Sequence, residues 1–334
     1  LRSMKLAIKT ESYELIRCLF NSVTFPINLA KLKIDFPCRG VEHKDCLLIA
    51  LVGEEAAESL ISTLQMTEPN LFAKVASFFK SSCSKMGSKG KAPYTPEFKT
   101  FVSNCQNLQN LKKFRVDFGE CTYFSINLFL LPILRTLRKL ESLNILHDTN
   151  YLHYHTSSQV DLGSMLNLLA EAKAPLSKLK FQGVVLDMSN FQPLNSQMFK
   201  LQKLKAKNLV MHSPNMHFLV EMCSAPQGIF ELDMIISTNE DLEKVLTCLK
   251  NVDSTSKLTV KGKLERGVTA DKSVKSLERY LYNLQNPNLI MELSSRIEYS
   301  NKEKVLKEIL AIKKPKRFLL TGVRTYLHFE KDKG

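Results

Sequence analysis

A leucine-anchored pattern returns along this chain: an apolar residue, two variable residues, Leu or Phe, one variable residue, then another apolar residue. Clear copies are Leu29–Ile34, Leu111–Val116, Leu140–Ile145, Leu176–Phe181 and Leu201–Ala206, and looser copies centre on Leu6, Leu232, Leu258, Leu289 and Leu319. From Phe114 onward the centres fall about 25 to 36 residues apart, the period of a solenoid of strand-plus-helix units. Each such unit has one apolar face that it cannot bury alone, so neighbours must stack, and stacking leaves an extended surface. The pattern therefore predicts an α/β array and puts binding ahead of catalysis.

The strand pieces are short. Lys178-Leu179-Lys180-Phe181 and Lys203-Leu204-Lys205-Ala206 alternate polar with apolar residues, as a half-buried strand does. Leu179 and Leu204 then point into the core, and the lysines point away from it. Between anchors the period changes to that of a helix. Leu162 to Ala170 follows Asp161, a good N-cap, and Asn239 to Leu249 places Leu242, Val245, Leu246 and Leu249 on one face. Val274, Leu277, Leu281 and Leu284 do the same, as do Val305, Ile309, Leu310 and Ile312. Met165, Met216 and Met222 fall at helical core positions.

One stretch breaks the rhythm. Ser81 to Pro93 is rich in Ser, Gly and Lys, carries no acid and has little to bury, so it reads as a loop. It lies in the long gap between the Leu32 and Phe114 anchors, which has room for about three repeats at the usual period; helices over Glu54 to Leu64 and Asn70 to Phe79 are expected there. The organisation that follows is irregular repeats over 1–80, a Ser/Gly/Lys-rich insertion over 81–97 and a repeat array over 98–334.

The anchors resemble those of leucine-rich repeat proteins, with spacing similar to the ribonuclease-inhibitor-like class and to F-box/leucine-rich-repeat substrate receptors. An F-box is not evident at the N-terminus. The resemblance implies a solenoid with parallel strands on a concave face and helices on a convex one, and it implies protein recognition. The family consensus places Asn or Cys after the strand. Asn208 matches that position, whereas Asp117, Gln182 and Gly262 stand at comparable places, so a regular asparagine ladder is not expected.

Charge gives the surface its chemistry. The chain carries 47 Lys and Arg against 33 Asp and Glu, a net charge of +14, which favours an acidic partner. Lys31, Lys33, Lys113, Arg115, Lys178, Lys180, Lys203, Lys205 and Lys207 all fall at outward strand positions; Glu231 and Asp233 interrupt them, and Lys257 and Lys261 resume the series. Stacked at about 4.8 Å, such strands make a two-dimensional cationic patch. Lysine is also an ordinary solvent-facing strand residue, so the pattern alone leaves a simple solvated face open. The expected contact residues are Lys178, Lys180, Lys203, Lys205 and Lys207, with Glu231 and Asp233 repelling misaligned acidic partners. Near-absence of aromatics from the stripe favours an acidic protein over single-stranded RNA, which uses stacking. An RNA-binding subunit of a ribonucleoprotein, or the substrate-recognition part of a ubiquitin ligase, are the alternatives.

Other clusters are weaker. Cys38, His43 and Cys46 offer three metal ligands but no fourth. His147, His153 and His155 cluster around Tyr151 and Tyr154, a set of rings able to bind a metal but read first as an exposed loop of polar rings. Lys313 to Arg317 resembles a short nuclear-targeting run and equally an ordinary turn. There is no Walker-type glycine loop, GxSxG or HExxH. No enzyme activity, cofactor, metal or small-molecule substrate is expected. Eight cysteines without a CxxC favour a reducing, intracellular setting, cytoplasmic or nuclear. The start at Leu1 keeps a processed mitochondrial chain open.

Overall fold

Period-two alternation is realised as mostly parallel strands, with alternating residues buried in those at Lys31–Asp35, Lys113–Asp117, Lys178–Gln182 and Ile229–Thr238. A computed structural model describes residues 1–8, 12–36, 45–65, 94–147, 159–210, 215–249, 252–253, 255–267, 289–295, 318–322 and 325–328. These form an α/β architecture with a mostly parallel sheet, in two compact units. The first holds Leu1–Val160 with Glu171–Pro175, and the second holds Asp161–Ala170 with Leu176–Gly334.

In the first unit the elements run β1 (Ser3–Ala7), α1 (Tyr13–Ser22), β2 (Lys31–Asp35), α2 (Cys46–Val52), α3 (Glu54–Gln65), α4 (Pro96–Asn104), β3 (Lys113–Asp117), α5 (Tyr123–Leu134) and β4 (Ser142–Leu146). The strand order is β1-β2-β3-β4, all parallel. Leu32, Ile34, Phe114, Val116, Leu143 and Ile145 form the buried side.

Helix starts follow local chemistry. Asp45 Oδ1 accepts the Leu48 N–H at 2.9 Å and opens α2, and α2 ends at Gly53, whose φ of 92° suits glycine. Thr95 caps α4 with Pro96 in its first turn. The Asp45 carboxylate also accepts the Thr122 N–H and the Ser125 hydroxyl, each at 2.6 Å, so it ties the start of α2 to the start of α5.

The gap between the Leu32 and Phe114 anchors does not hold three repeats. Strands β2 and β3 are register partners, Leu32 beside Phe114 and Ile34 beside Val116, which leaves no place in the sheet between them. The described part of the gap is helical, and the expected helix at Glu54 appears as α3. Its helices pack behind the sheet: α1 lies against α2 and α4, and α2 lies against α5. For that reason every residue of α2, save the half-buried Cys46, and every residue of α5 after Tyr123 is buried. A helix apolar on all sides must be covered on all sides. Phe129 of α5 is the hub, with ring centroids of Phe20, Phe36, Phe98, Phe101 and Phe118 at 5.1 to 6.3 Å.

The chain passes between units at the two-residue strand β5 (Val160–Asp161). In the second unit α6 (Leu162–Glu171), β6 (Lys178–Gln182), β7 (Leu186–Asp187), β8 (Lys203–Val210), α7 (Met216–Glu221), β9 (Ile229–Thr238), α8 (Asn239–Leu249), β10 (Lys257–Gly267), β11 (Leu289–Ser295), β12 (Phe318–Gly322) and β13 (Thr325–His328) follow. The order is β6-β8-β9-β10-β11-β12-β13, parallel except that β12 and β13 are antiparallel. Helices α6 and α8 occupy the predicted spans. Asp161 Oδ1 accepts the Ser164 N–H at 2.8 Å, the expected cap, and Thr238 and Asp241 form a reciprocal capping box at the start of α8. Met165, Met216 and Met222 are core residues.

The connection from β6 to β8 carries no α-helix. Polar side chains staple it instead. Asn190 Nδ2 donates to Asp161 Oδ2 at 2.9 Å, Asn167 Nδ2 donates to the Asn190 carbonyl at 2.7 Å, and Asn167 Oδ1 accepts from Gln192 N and Asn195 Nδ2. A Cβ at Gly163 would stand 2.6 Å from the Phe191 nitrogen, so only glycine lets this loop backbone cross α6. The expected turn asparagine, Asn208, lies inside β8, where the register against β9 shifts between Ala206 and Leu209. Ser81 to Pro93, the expected helices at 70–79, 274–284 and 305–312, His153, His155, Cys38, His43 and the Lys313 to Arg317 run lie outside the described residues.

Candidate functional site: an open, charged strand face

Parallel sheets are normally covered on both faces, because their crossover connections bring helices to each side. Among the described residues the apolar side chains of the strands are buried on one side, and the other side carries lysines. In the first unit the outward residues form three rows across β1 to β4: Ser3, Lys31, Lys113 and Ser142; then Lys5, Lys33, Arg115 and Asn144; then Ala7, Asp35, Asp117 and Leu146. Lys5, Lys31 and Lys113 are exposed, and Lys33, Arg115 and Asn144 are half-buried. Each charge faces its register neighbour across about 4.8 Å.

The second unit repeats the scheme. Lys178 is in register with Lys203, and Lys180 with Lys205, so four of the predicted contact residues form a two-by-two block. Leu179 and Leu204 beneath them are buried. The rows continue as Ile229 and Lys257, as Glu231 and Thr259, and as Asp233 and Lys261. Ile229, 44% exposed, stands between Lys203 and Lys257 as an apolar point in a basic row. Lys207 falls in the irregular stretch of β8 and does not extend the block in register.

Ion pairing decides which of these cations are available. Lys205 Nζ is bridged to the Glu231 carboxylate, its register neighbour. Glu231 therefore offsets a predicted contact residue, a relation that the linear order of residues did not reveal. In the first unit Asp35 takes Lys33 at 2.9 Å and Lys5 at 3.4 Å. Among the described residues Lys31, Lys113, Arg115, Lys178, Lys180 and Lys203 have no such carboxylate.

Three buried polar atoms without a hydrogen-bond partner also stand on the first unit's open face: Asp35 Oδ1, Arg115 Nε and Asn144 Oδ1. An orphaned buried polar atom costs about 1–3 kcal/mol, so neighbouring orphans on one face mark a local arrangement not optimised for stability. Sequence reasoning missed Lys5, Asp35, Asp117 and Asn144 on this face. The alternation in Ser3-Met4-Lys5-Leu6-Ala7 and in Leu32-Lys33-Ile34-Asp35 would have found the first two.

The remaining candidates resolve differently. His147 does not belong to an exposed loop: it is buried, its Nε2–H donates to the Cys121 carbonyl at 2.7 Å, and its ring stacks on Tyr123 at 5.3 Å. Burial wins because the ring completes a polar contact under an aromatic neighbour. Cys46 is half-buried and a free thiol, and no group of three or more metal-ligating side chains occurs among the described residues. Burial pushes the Cys105 and Cys223 thiols far above their ordinary range. It pushes Cys248 up to about 12, with the Glu221 charge adding to it. These thiols are protonated core groups rather than nucleophiles. Asp161 is raised by burial, with the Asp187 charge adding to that, while hydrogen bonds from Ser164 and Asn190 oppose it. No helix among the described residues is long and apolar enough to cross a membrane.

No family model and no curated protein sequence matches this chain. The geometry of the open face therefore carries the functional reading.

Proposed function

We propose that this chain is a non-catalytic recognition module, an adaptor, scaffold or assembly subunit, that holds an acidic protein against its open strand face. In this reading the units are irregular leucine-rich repeats, with the strands concave and the helices convex. The supporting observation is the in-register block of Lys178, Lys180 and Lys203 on the side of a parallel sheet opposite the buried Leu179 and Leu204. A face of that kind gains most from a partner of opposite sign, and the association is steered and salt-sensitive. The outward rows named above contain no aromatic residue, which favours carboxylates over stacked bases. Free thiols at Cys18, Cys46, Cys105, Cys121, Cys223 and Cys248 fit a reducing, intracellular compartment.

Capture from extracts of the source cells tests this, with the native chain beside the double reversals Lys180→Glu/Lys203→Glu and Lys31→Glu/Lys113→Glu. The expected result is a set of acidic proteins retained by the native chain and lost from at least one double variant that still folds. Identical partners on all three proteins would remove the strand face from the interface. Partners that vanish on ribonuclease treatment would make RNA the ligand instead.

A further inference from the structure

We infer that Arg115 is the carboxylate anchor of the first unit's face, holding an acidic side chain of a partner protein with Lys31 and Lys113 beside it. The inference rests on the recognition reading above and narrows it to a place and an occupant. Arg115 is at the centre of the rows. Lys33 and Asn144 flank it across the strands, Lys113 precedes it and Asp117 follows it on β3.

The cations that share its row in the first unit are engaged. Lys33 and Lys5 share Asp35, and in the second unit the corresponding central cation, Lys205, is closed by Glu231. Asp117 is turned to its own loop, its Oδ1 accepting the Gly119 N–H at 3.3 Å. Arg115 has no ion pair among the described residues, and its Nε is unpartnered. Asn144, its register partner, leaves Oδ1 unpartnered too, so guanidinium and amide do not satisfy one another.

Guanidinium chemistry names the occupant. A planar fork half-sunk in a sheet face matches a carboxylate with two parallel hydrogen bonds, and the flanking ammonium groups add charge without direction. The neighbouring row of Asp35 and Asp117 limits how much negative charge can approach. A single carboxylate placed on the basic rows stays clear of it, whereas a continuous phosphodiester backbone is repelled along its length. An acidic peptide segment therefore fits this face better than RNA does.

Fluorescence anisotropy on the full chain tests the assignment, with a labelled oligo-glutamate peptide and a single-stranded RNA of matched charge as probes. The native chain is expected to bind the peptide, and Arg115→Gln to weaken it about tenfold to a hundredfold, as loss of a charge-assisted fork does. Arg115→Lys should recover only part of the loss, since a point charge lacks the fork. Unchanged thermal unfolding keeps the comparison clean; should Arg115→Gln unfold, Lys113→Glu reads the same site. Peptide binding that survives Arg115→Gln but is lost in Lys203→Glu would overturn the anchor and leave the recognition reading standing. Tight RNA binding with no peptide binding would overturn the occupant. Binding of neither probe at low ionic strength would overturn both readings.

Discussion

The two units hold up similar strand faces on different backs. Behind β1 to β4 stands an aromatic core, with Phe129 at its centre and helices on more than one side of it. Behind β6 and β8 the crossover lacks an α-helix, and Asp161, Asn167 and Asn190 hold the loop by hydrogen bonds. A strand face needs only a flat, apolar underside. Ring packing or a polar staple can each supply the support behind it. The charge left exposed differs as well: Arg115 on the first unit's face has no carboxylate among the described residues, whereas Lys205 on the second is closed by Glu231.

The strongest way to break this comparison is at the aromatic hub. Phe129→Ala should cost about 3–5 kcal/mol, the range for removing a buried aromatic side chain. Hydrogen exchange should then show β1 to β4 losing protection while β8 to β10 keep theirs. A loss below about 1 kcal/mol, or an equal loss in both units, would mean that the ring cluster does not support the first unit separately.

The polar staple gives a smaller effect with a pH signature. Burial and Asp187 raise the Asp161 carboxyl above its ordinary value, so between that value and the raised one the folded state binds more protons than the unfolded state. The stability this confers is full at low pH and is lost as pH rises through the raised value. Asp161→Asn keeps the N-cap of α6 and removes the titration. Denaturation midpoints measured across the acidic range should therefore show a steeper fall with rising pH for the native chain than for the variant. Parallel curves would show that the carboxyl is not coupled to folding.

The smallest effect lies at the closed cation. The Lys205–Glu231 pair is a third or more exposed on both sides, so Glu231→Gln should change stability by less than about 1 kcal/mol. The same substitution frees Lys205 and should tighten oligo-glutamate binding a few-fold at low salt. Weaker binding would mean that Glu231 contributes to recognition directly.

Much of the fold was legible from residues alone. Alternation in Lys178 to Phe181 and Lys203 to Ala206 marked strands and their buried side, and the 3.6-residue period marked α6 and α8. In the gap, α2 was not legible as a helix, because its residues Leu47 to Val52 are all apolar and all buried, leaving no periodic face to betray its place. His147 looked exposed because its neighbours in sequence are polar, yet Cys121 and Tyr123 enclose it. On the candidate site, the lysine positions could be read and the pairing of Lys205 with Glu231 could not.

The sequence by itself determined the strand-and-helix alternation, the apolar underside and the excess of lysine above it, since each follows from side chains two to four residues apart. Only the tertiary structure decided which of those cations stay free. Strand pairing sets Glu231 beside Lys205 and brings Lys5 within reach of Asp35, and it leaves Arg115 between partners that do not answer it. Coulombic neutralisation acts over a few ångströms in space, between residues that can be far apart along the chain.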